Sequence, residues 1–169
     1  MAVAIFGVSG AIWHSNVRPL LADLHSWRGT QALAQGNVTG AIDEYKTAVF
    51  HQPHRAAYQS ALALTAAQTG DFEQAENAIQ QAISLHPTDP VLYTQLATIY
   101  GQESVETPEK IEDAYRAYEQ AIAIAPTIGL TYQQYADLAL RTNDSTTALL
   151  QAQRATDLDA TDGIAFGIL

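Results

Sequence analysis

Apolar residues recur along most of the chain at steps of three and four, the spacing of one helix face, rather than alternating as in a half-buried strand. Val91, Leu92, Leu96, Ile99 and Tyr100 form one such stripe, and Ile111, Tyr115, Tyr118 and Ile122 form the next. Punctuation between the stripes agrees with paired helices. Asp89 before Pro90, and Thr107 before Pro108, are N-cap and first-turn signals, because the cap oxygen satisfies an orphan amide and proline lacks one. A helix capped by Thr107 and starting at Pro108 is therefore expected. Gly36, Gly70 and Asn143 stand where a helix must stop and the chain reverse, which favours residues that tolerate positive φ. Pro53, Pro87 and Pro126 close the following helices.

The stripes repeat. Gly36, Ala41, Tyr45, Ala48 and Pro53 return as Gly70, Ala75, Ile79, Ala82 and Pro87, each displaced by 34 residues. Ala114, Tyr118, Ala121 and Pro126 follow 39 residues later, and Ala148, Ala152, Ala155 and Ala160 a further 34. The five extra residues fall between Tyr100 and Ile111, and a longer turn is expected there. Small residues also recur. Gly29, Ala63, Ala97 and Ala136 on first helices, with Ala41, Ala75, Ala114 and Ala148 on second helices, let paired helices approach closely.

This pattern resembles the tetratricopeptide repeat (TPR), a 34-residue helix-turn-helix with a Gly/Ala, Ala, aromatic, Ala, Pro signature. The third repeat matches best, through Tyr93, Leu96, Ala97, Tyr100, Ala114, Tyr118, Ala121 and Pro126. Departures are local: Arg28 replaces a large apolar residue, with Trp27 expected to take over its role, and Ala160 replaces the last proline. The fold class implied is all-α, a right-handed α-solenoid of four TPR units within 19–161. They span about 22–55, 56–89, 90–128 and 129–162, preceded by an apolar segment over 1–18 and followed over 163–169 by the start of a further helix.

Charge narrows the partners. Asp and Glu outnumber Lys and Arg 18 to 8, a formal net charge of -10. Affinity for nucleic acid comes mostly from Lys and Arg neutralising phosphates, so nucleic acid is not an expected partner. Cysteine is absent, which removes disulfides, thiolate nucleophiles and Cys-type zinc sites.

Candidate chemistry is sparse. Gly7-Val8-Ser9-Gly10-Ala11 lacks the second glycine of a nucleophile elbow and reads as small residues in an apolar helix. His51 and His54 straddle Pro53, which prevents one continuous helix from fixing both rings as metal ligands. Asp157, Asp159, Asp162 and Gly163 miss the calcium-loop register, with Ile168 where a bidentate Glu is required. The sequons at Asn37 and Asn143 fall in tight turns that want Asn for its backbone tolerance. No catalytic, cofactor or metal residue is assigned, and the chain reads as a protein-protein interaction or scaffolding module without catalysis of its own.

The TPR resemblance implies a protein or peptide partner on the concave face, contacted mainly by first helices. The matching positions are Asp23, Ser26 and Thr30 in the first repeat and Ala57, Ser60, Leu64 and Gln68 in the second. Val91, Thr94, Thr98 and Gln102 follow in the third, then Leu130, Gln133, Asp137 and Arg141 in the fourth. The Lys/Asn/Arg clamp by which the family's chaperone-binding branch holds a terminal carboxylate is replaced here by Ser, Thr and Ala.

Both ends are apolar. Ala2 to Trp13 carries no charge and is too short to span a bilayer. With Arg18-Pro19-Leu20 and Trp27-Arg28-Gly29 behind it, this layout is similar to the C-terminal region of bacterial O-antigen ligase or polymerase family membrane proteins. That similarity implies a membrane-tethered parent acting on lipid-linked polysaccharide, with its active site outside this chain. Phe166, Ile168 and Leu169 are expected to be buried, by fold-back or by self-association through the apolar termini.

Overall fold

A computed structural model describes residues 17–166 of the chain, with side chains through Asp159. Among the described residues there are eight helices and no strand: α1 (Arg18–Ala34), α2 (Val38–His51), α3 (Ala56–Gln68), α4 (Phe72–Leu85), α5 (Pro90–Glu103), α6 (Lys110–Ile124), α7 (Gly129–Arg141) and α8 (Ser145–Phe166). They pair consecutively into four helix-turn-helix repeats. Residues up to Pro87 form one compact half, holding α1 to α4, and residues from Thr88 form a second, holding α5 to α8.

Three of the four turns inside repeats are built alike. Gly36, Gly70 and Asn143 have φ of 75°, 78° and 61°, the left-handed conformation anticipated for them. The next residue then bonds back across the turn: Asn37 N to Ala32 O at 2.9 Å, Asp71 N to Ala66 O at 3.2 Å and Asp144 N to Ala139 O at 2.9 Å. The same three residues start the following helix. Their Oδ1 atoms accept from Gly40 N, Gln74 N and Thr147 N at 2.9 to 3.1 Å, so one side chain satisfies an orphan amide where one main-chain bond has closed the helix before.

Small residues bring the paired helices together. Ala41, Ala63, Ala75, Ala97 and Ala114 have no exposed surface, and Gly29, Ala136 and Ala148 are buried. At Gly29 of α1 a Cβ would lie 2.8 Å from the Tyr45 ring of α2, closer than any real contact. Tyr45 thus lies on the bare backbone of its partner helix, and only glycine leaves room for it. At Gly101 of α5 a Cβ would lie 3.0 Å from the Leu138 side chain of α7 in the next repeat, a tight contact to which Leu138 would have to yield.

The third repeat absorbs its five extra residues as anticipated, mostly in its turn. Residues 104–109 connect α5 to α6, against three residues in each other turn, and α5 and α6 are each one residue longer than α3 and α4. Lys110 Nζ lies 3.2 Å from Glu103 Oε2 and 4.7 Å above the Tyr100 ring, so a half-buried cation ties the two ends of the turn.

Three expectations are corrected. Trp27 does not take over for Arg28: both are exposed on α1, because no earlier helix among the described residues covers that side. Thr107 does not cap a helix at Pro108. Its carbonyl accepts Lys110 N at 3.0 Å and that of Pro108 accepts Ile111 N at 3.2 Å, so these residues close two tight turns and α6 starts at Lys110. Instead of ending near 162 and restarting at 163, α8 runs unbroken from Ser145 to Phe166. The side chain of Phe166, together with Ile168, Leu169, the Ala2 to Trp13 run and the Gly7 to Ala11 motif, lies outside what is described.

The close approaches can be tested by filling them. Gly29→Ala, Ala75→Leu and Ala114→Leu should each destabilise the fold by about 1–3 kcal/mol through overpacking, read as a lowered thermal midpoint. Unchanged melts for all three would show that the helices do not touch at these positions.

Candidate functional site

In the C-terminal half, α5, α6 and α7 enclose a cleft of about 530 Å³ lined by Thr98, Tyr118, Gln134, Asp137, Leu140 and Arg141. Its wall is rigid. Tyr118 stacks on Tyr135 at 5.2 Å with ring planes 12° apart, and Tyr135 also meets Tyr115 at 5.1 Å. Thr98 hydrogen-bonds Tyr118, and its hydroxyl donates to Thr94 O at 3.0 Å. Burial pushes the Tyr118 phenol above its ordinary value, so it is present as a neutral hydroxyl. Gln134 Oε1 is buried in this wall without a hydrogen-bond donor. Asp137 and Arg141, one turn apart on α7, bring a carboxylate and a guanidinium to the rim, and Leu140 adds an exposed apolar side chain between them.

Three positions anticipated for partner contact, Thr98, Asp137 and Arg141, therefore share one cleft. Gln133 lines an adjoining hollow of about 280 Å³ between α7 and α8, while Val91, Gln102 and Leu130 are exposed and Thr94 is half-buried, its hydroxyl donating to Pro90 O at 3.1 Å. In the N-terminal half the anticipated positions are largely engaged within the chain. Asp23 accepts from the Tyr58 hydroxyl and from Arg55 at 3.3 Å. Thr30 donates to Ser26 O and meets the Tyr45 hydroxyl, both at 3.2 Å, and Ser26 itself is half-buried. Ala57 and Gln68 are exposed and Leu64 is half-buried. Ser60 is not open to a partner: it is buried, because α3 is covered on almost every side.

Tyr118, Gln134 and Leu140 belong to the cleft without having been anticipated there. Tyr118 reads in sequence as a core aromatic, which it also is, and nothing in the order of residues separates the half-buried Gln134 from the exposed Gln133 beside it.

The histidines form a different arrangement from the one weighed in sequence. His51 stacks on His25 of α1, with centroids 5.7 Å apart, and His25 Nδ1 donates to Glu44 Oε2 at 2.6 Å. His51 and His54 line one hollow of about 300 Å³ with Arg18, Gln52 and Pro53, but no group of three His, Asp or Glu among the described residues is placed to hold a metal ion.

Residues 32–99 match the family model of the tetratricopeptide repeat. This stretch carries tetratricopeptide repeats. The TPR fold extends over the rest of the described chain, as solved structures show. The crystal structure of MamA aligns with 91% of this chain and 86% of its own, at a TM-score of 0.69 and 18% identity. A thermophilic TPR protein of Thermus thermophilus aligns at a TM-score of 0.71 and 16% identity, over 82% of this chain and 75% of its own. The first TPR of Spaghetti (RPAP3), bound to the HSP90 peptide SRMEEVD, aligns at 0.63 and 18% identity over 74% and 95%. At these identities the likeness is one of fold. No curated protein matches the sequence. The O-antigen ligase resemblance gains no support from these likenesses, and no helix among the described residues is long and apolar enough to cross a membrane.

Two pH responses follow from the TPR helices. Burial first, then the charges of His25 and Arg18, hold His51 below its ordinary 6.5. The unfolded chain therefore takes up this proton at higher pH than the folded one, so the stability His51 contributes is complete above pH 6.5 and is lost as pH falls through the lowered value. Urea midpoints should drop on acidification below 6.5, and His51→Gln should flatten that slope. Tyr58 and Tyr135 are each pushed up to about 12, chiefly by burial, aided at Tyr58 by the bond to Asp23 and at Tyr135 by the charge of Glu119. Their share of stability is complete below pH 10 and lost between pH 10 and about 12. Alkaline difference absorbance should show late ionisation at Tyr58, Tyr118 and Tyr135, with Tyr58→Phe and Tyr135→Phe removing one late step each.

Proposed function

We propose that this chain is a protein-binding module without catalysis of its own, and that it takes an extended segment of a partner protein in the cleft between α5, α6 and α7. The observation that carries this reading is the cleft itself, in which Thr98, Asp137 and Arg141, three positions matched to the family's partner-contacting face, come together beside Leu140 and Tyr118. Leu140 and Tyr118 supply apolar contact, and the polar groups around them supply hydrogen bonds to an extended backbone.

Charge selects the segment. A chain of net charge -10 repels acidic peptides overall, and of the two rim charges Asp137 offers a carboxylate to Lys or Arg while Arg141 lies one turn away. The SRMEEVD peptide held by the Spaghetti TPR is acidic, and the carboxylate clamp of chaperone-binding repeats has no counterpart here. The ligand chemistry is therefore a neutral or basic segment with an apolar residue beside a Lys or Arg.

Panning a random-peptide display library on the immobilised chain should enrich such segments. Asp137→Lys and Leu140→Ala should each weaken the selected peptides by about tenfold, the equivalent of ~1.4 kcal/mol, with unchanged thermal midpoints. Enrichment of acidic peptides, or selected peptides indifferent to both substitutions, would refute the assignment.

A further inference from the structure

We infer that copies of this chain associate head to tail, the outward face of α1 on one molecule seating in the hollow between α7 and α8 of a second copy. The inference does not rest on the peptide-binding reading, although Asp137 and Leu140 border both surfaces. It rests on an interface that the chain already builds once. Between the first two repeats, Tyr58 of α3 packs into a core with Ala22 of α1 and Ala48 of α2, and Val49 closes the contact.

A shift of 34 residues carries Tyr58, Leu62 and Thr65 of α3 onto Leu24, Arg28 and Gln31 of α1. The α3 set is buried, and the α1 set is exposed. Leu20 and Trp27 lie on the same side of α1 and are 69% and 60% exposed, so a large apolar stripe is left in water. α1 thus shows to solvent the side that α3 buries.

The complementary half is open on α7 and α8. Ala155 and Thr156 correspond to Ala48 and Val49, and here they line the hollow of about 280 Å³ instead of a filled core. The hollow exists because Ala152 stands where earlier second helices carry Tyr45, Ile79 and Tyr118. Bulk is missing on this side and in excess on the other, at Leu24 and Trp27. Charges also match: Arg28 flanks the stripe, and Asp137 and Asp159 line the hollow. Because the two surfaces differ, the contact is heterologous, and a pair of copies keeps one free surface of each kind.

The test is sedimentation velocity of the 169-residue chain over a concentration series, with two surface variants. One carries Leu24→Glu and Trp27→Glu, and the other Ala152→Arg and Thr156→Arg. The unaltered chain should grow with concentration. Each variant alone should stay monomeric, its apparent dissociation constant raised at least about tenfold. Their equimolar mixture should form 1:1 dimers and nothing larger, since one intact pair of surfaces remains. Should either double substitution lower the thermal midpoint, Trp27→Ser and Ala152→Arg alone carry the same readout. An unaltered chain that stays monomeric at its highest soluble concentration would overturn the inference, as would a mixture that stays monomeric. Undiminished association of the Ala152→Arg, Thr156→Arg variant would overturn it as well, since that outcome belongs to a symmetric pairing of two α1 stripes.

Discussion

The architecture depends on how closely the two helices of a repeat can approach. Tyr45 lies on the backbone of α1 only because position 29 has no side chain, and alanines without exposed surface hold the other crossings. Each repeat also hides large side chains against its neighbour within the same half. Tyr58 on Ala48 is one such contact; the aromatic group of Tyr115, Tyr118 and Tyr135 is another. Stability is therefore shared between neighbouring repeats as well as held within them.

Features set by one residue's own backbone were legible in the sequence. Positive φ at Gly36, Gly70 and Asn143 follows from what those residues tolerate, and the small positions follow from their period. Features that depend on a neighbour were not. Whether Trp27 is covered depends on a helix before α1, and whether Ser60 is reachable depends on how fully α3 is surrounded. Thr107 had the composition of a cap, but the two turns that follow it use its carbonyl instead. The candidate cleft was half visible: Thr98, Asp137 and Arg141 came from repeat register, while Gln134 stands out only because its oxygen is buried.

The two halves differ in what their polar groups do. In the N-terminal half, Asp23, Arg55, Tyr58, His25 and Glu44 satisfy one another and stitch α1 to its neighbours. Polar side chains of α7 instead surround open volume, with an unpaired acceptor in its wall. Internal satisfaction makes a rigid support; incomplete satisfaction makes a surface that gains by meeting another molecule.

The six-residue turn of the third repeat has a consequence for folding. Helix pairs built from near-identical units can dock in the wrong order, because the surfaces they offer are alike. A 39-residue repeat breaks that equivalence: Lys110 reaches Glu103 and Tyr100 only across this turn, and no other repeat carries a turn of that length. The insertion therefore distinguishes the third helix pair from its neighbours and works against exchange of one pair for another during folding.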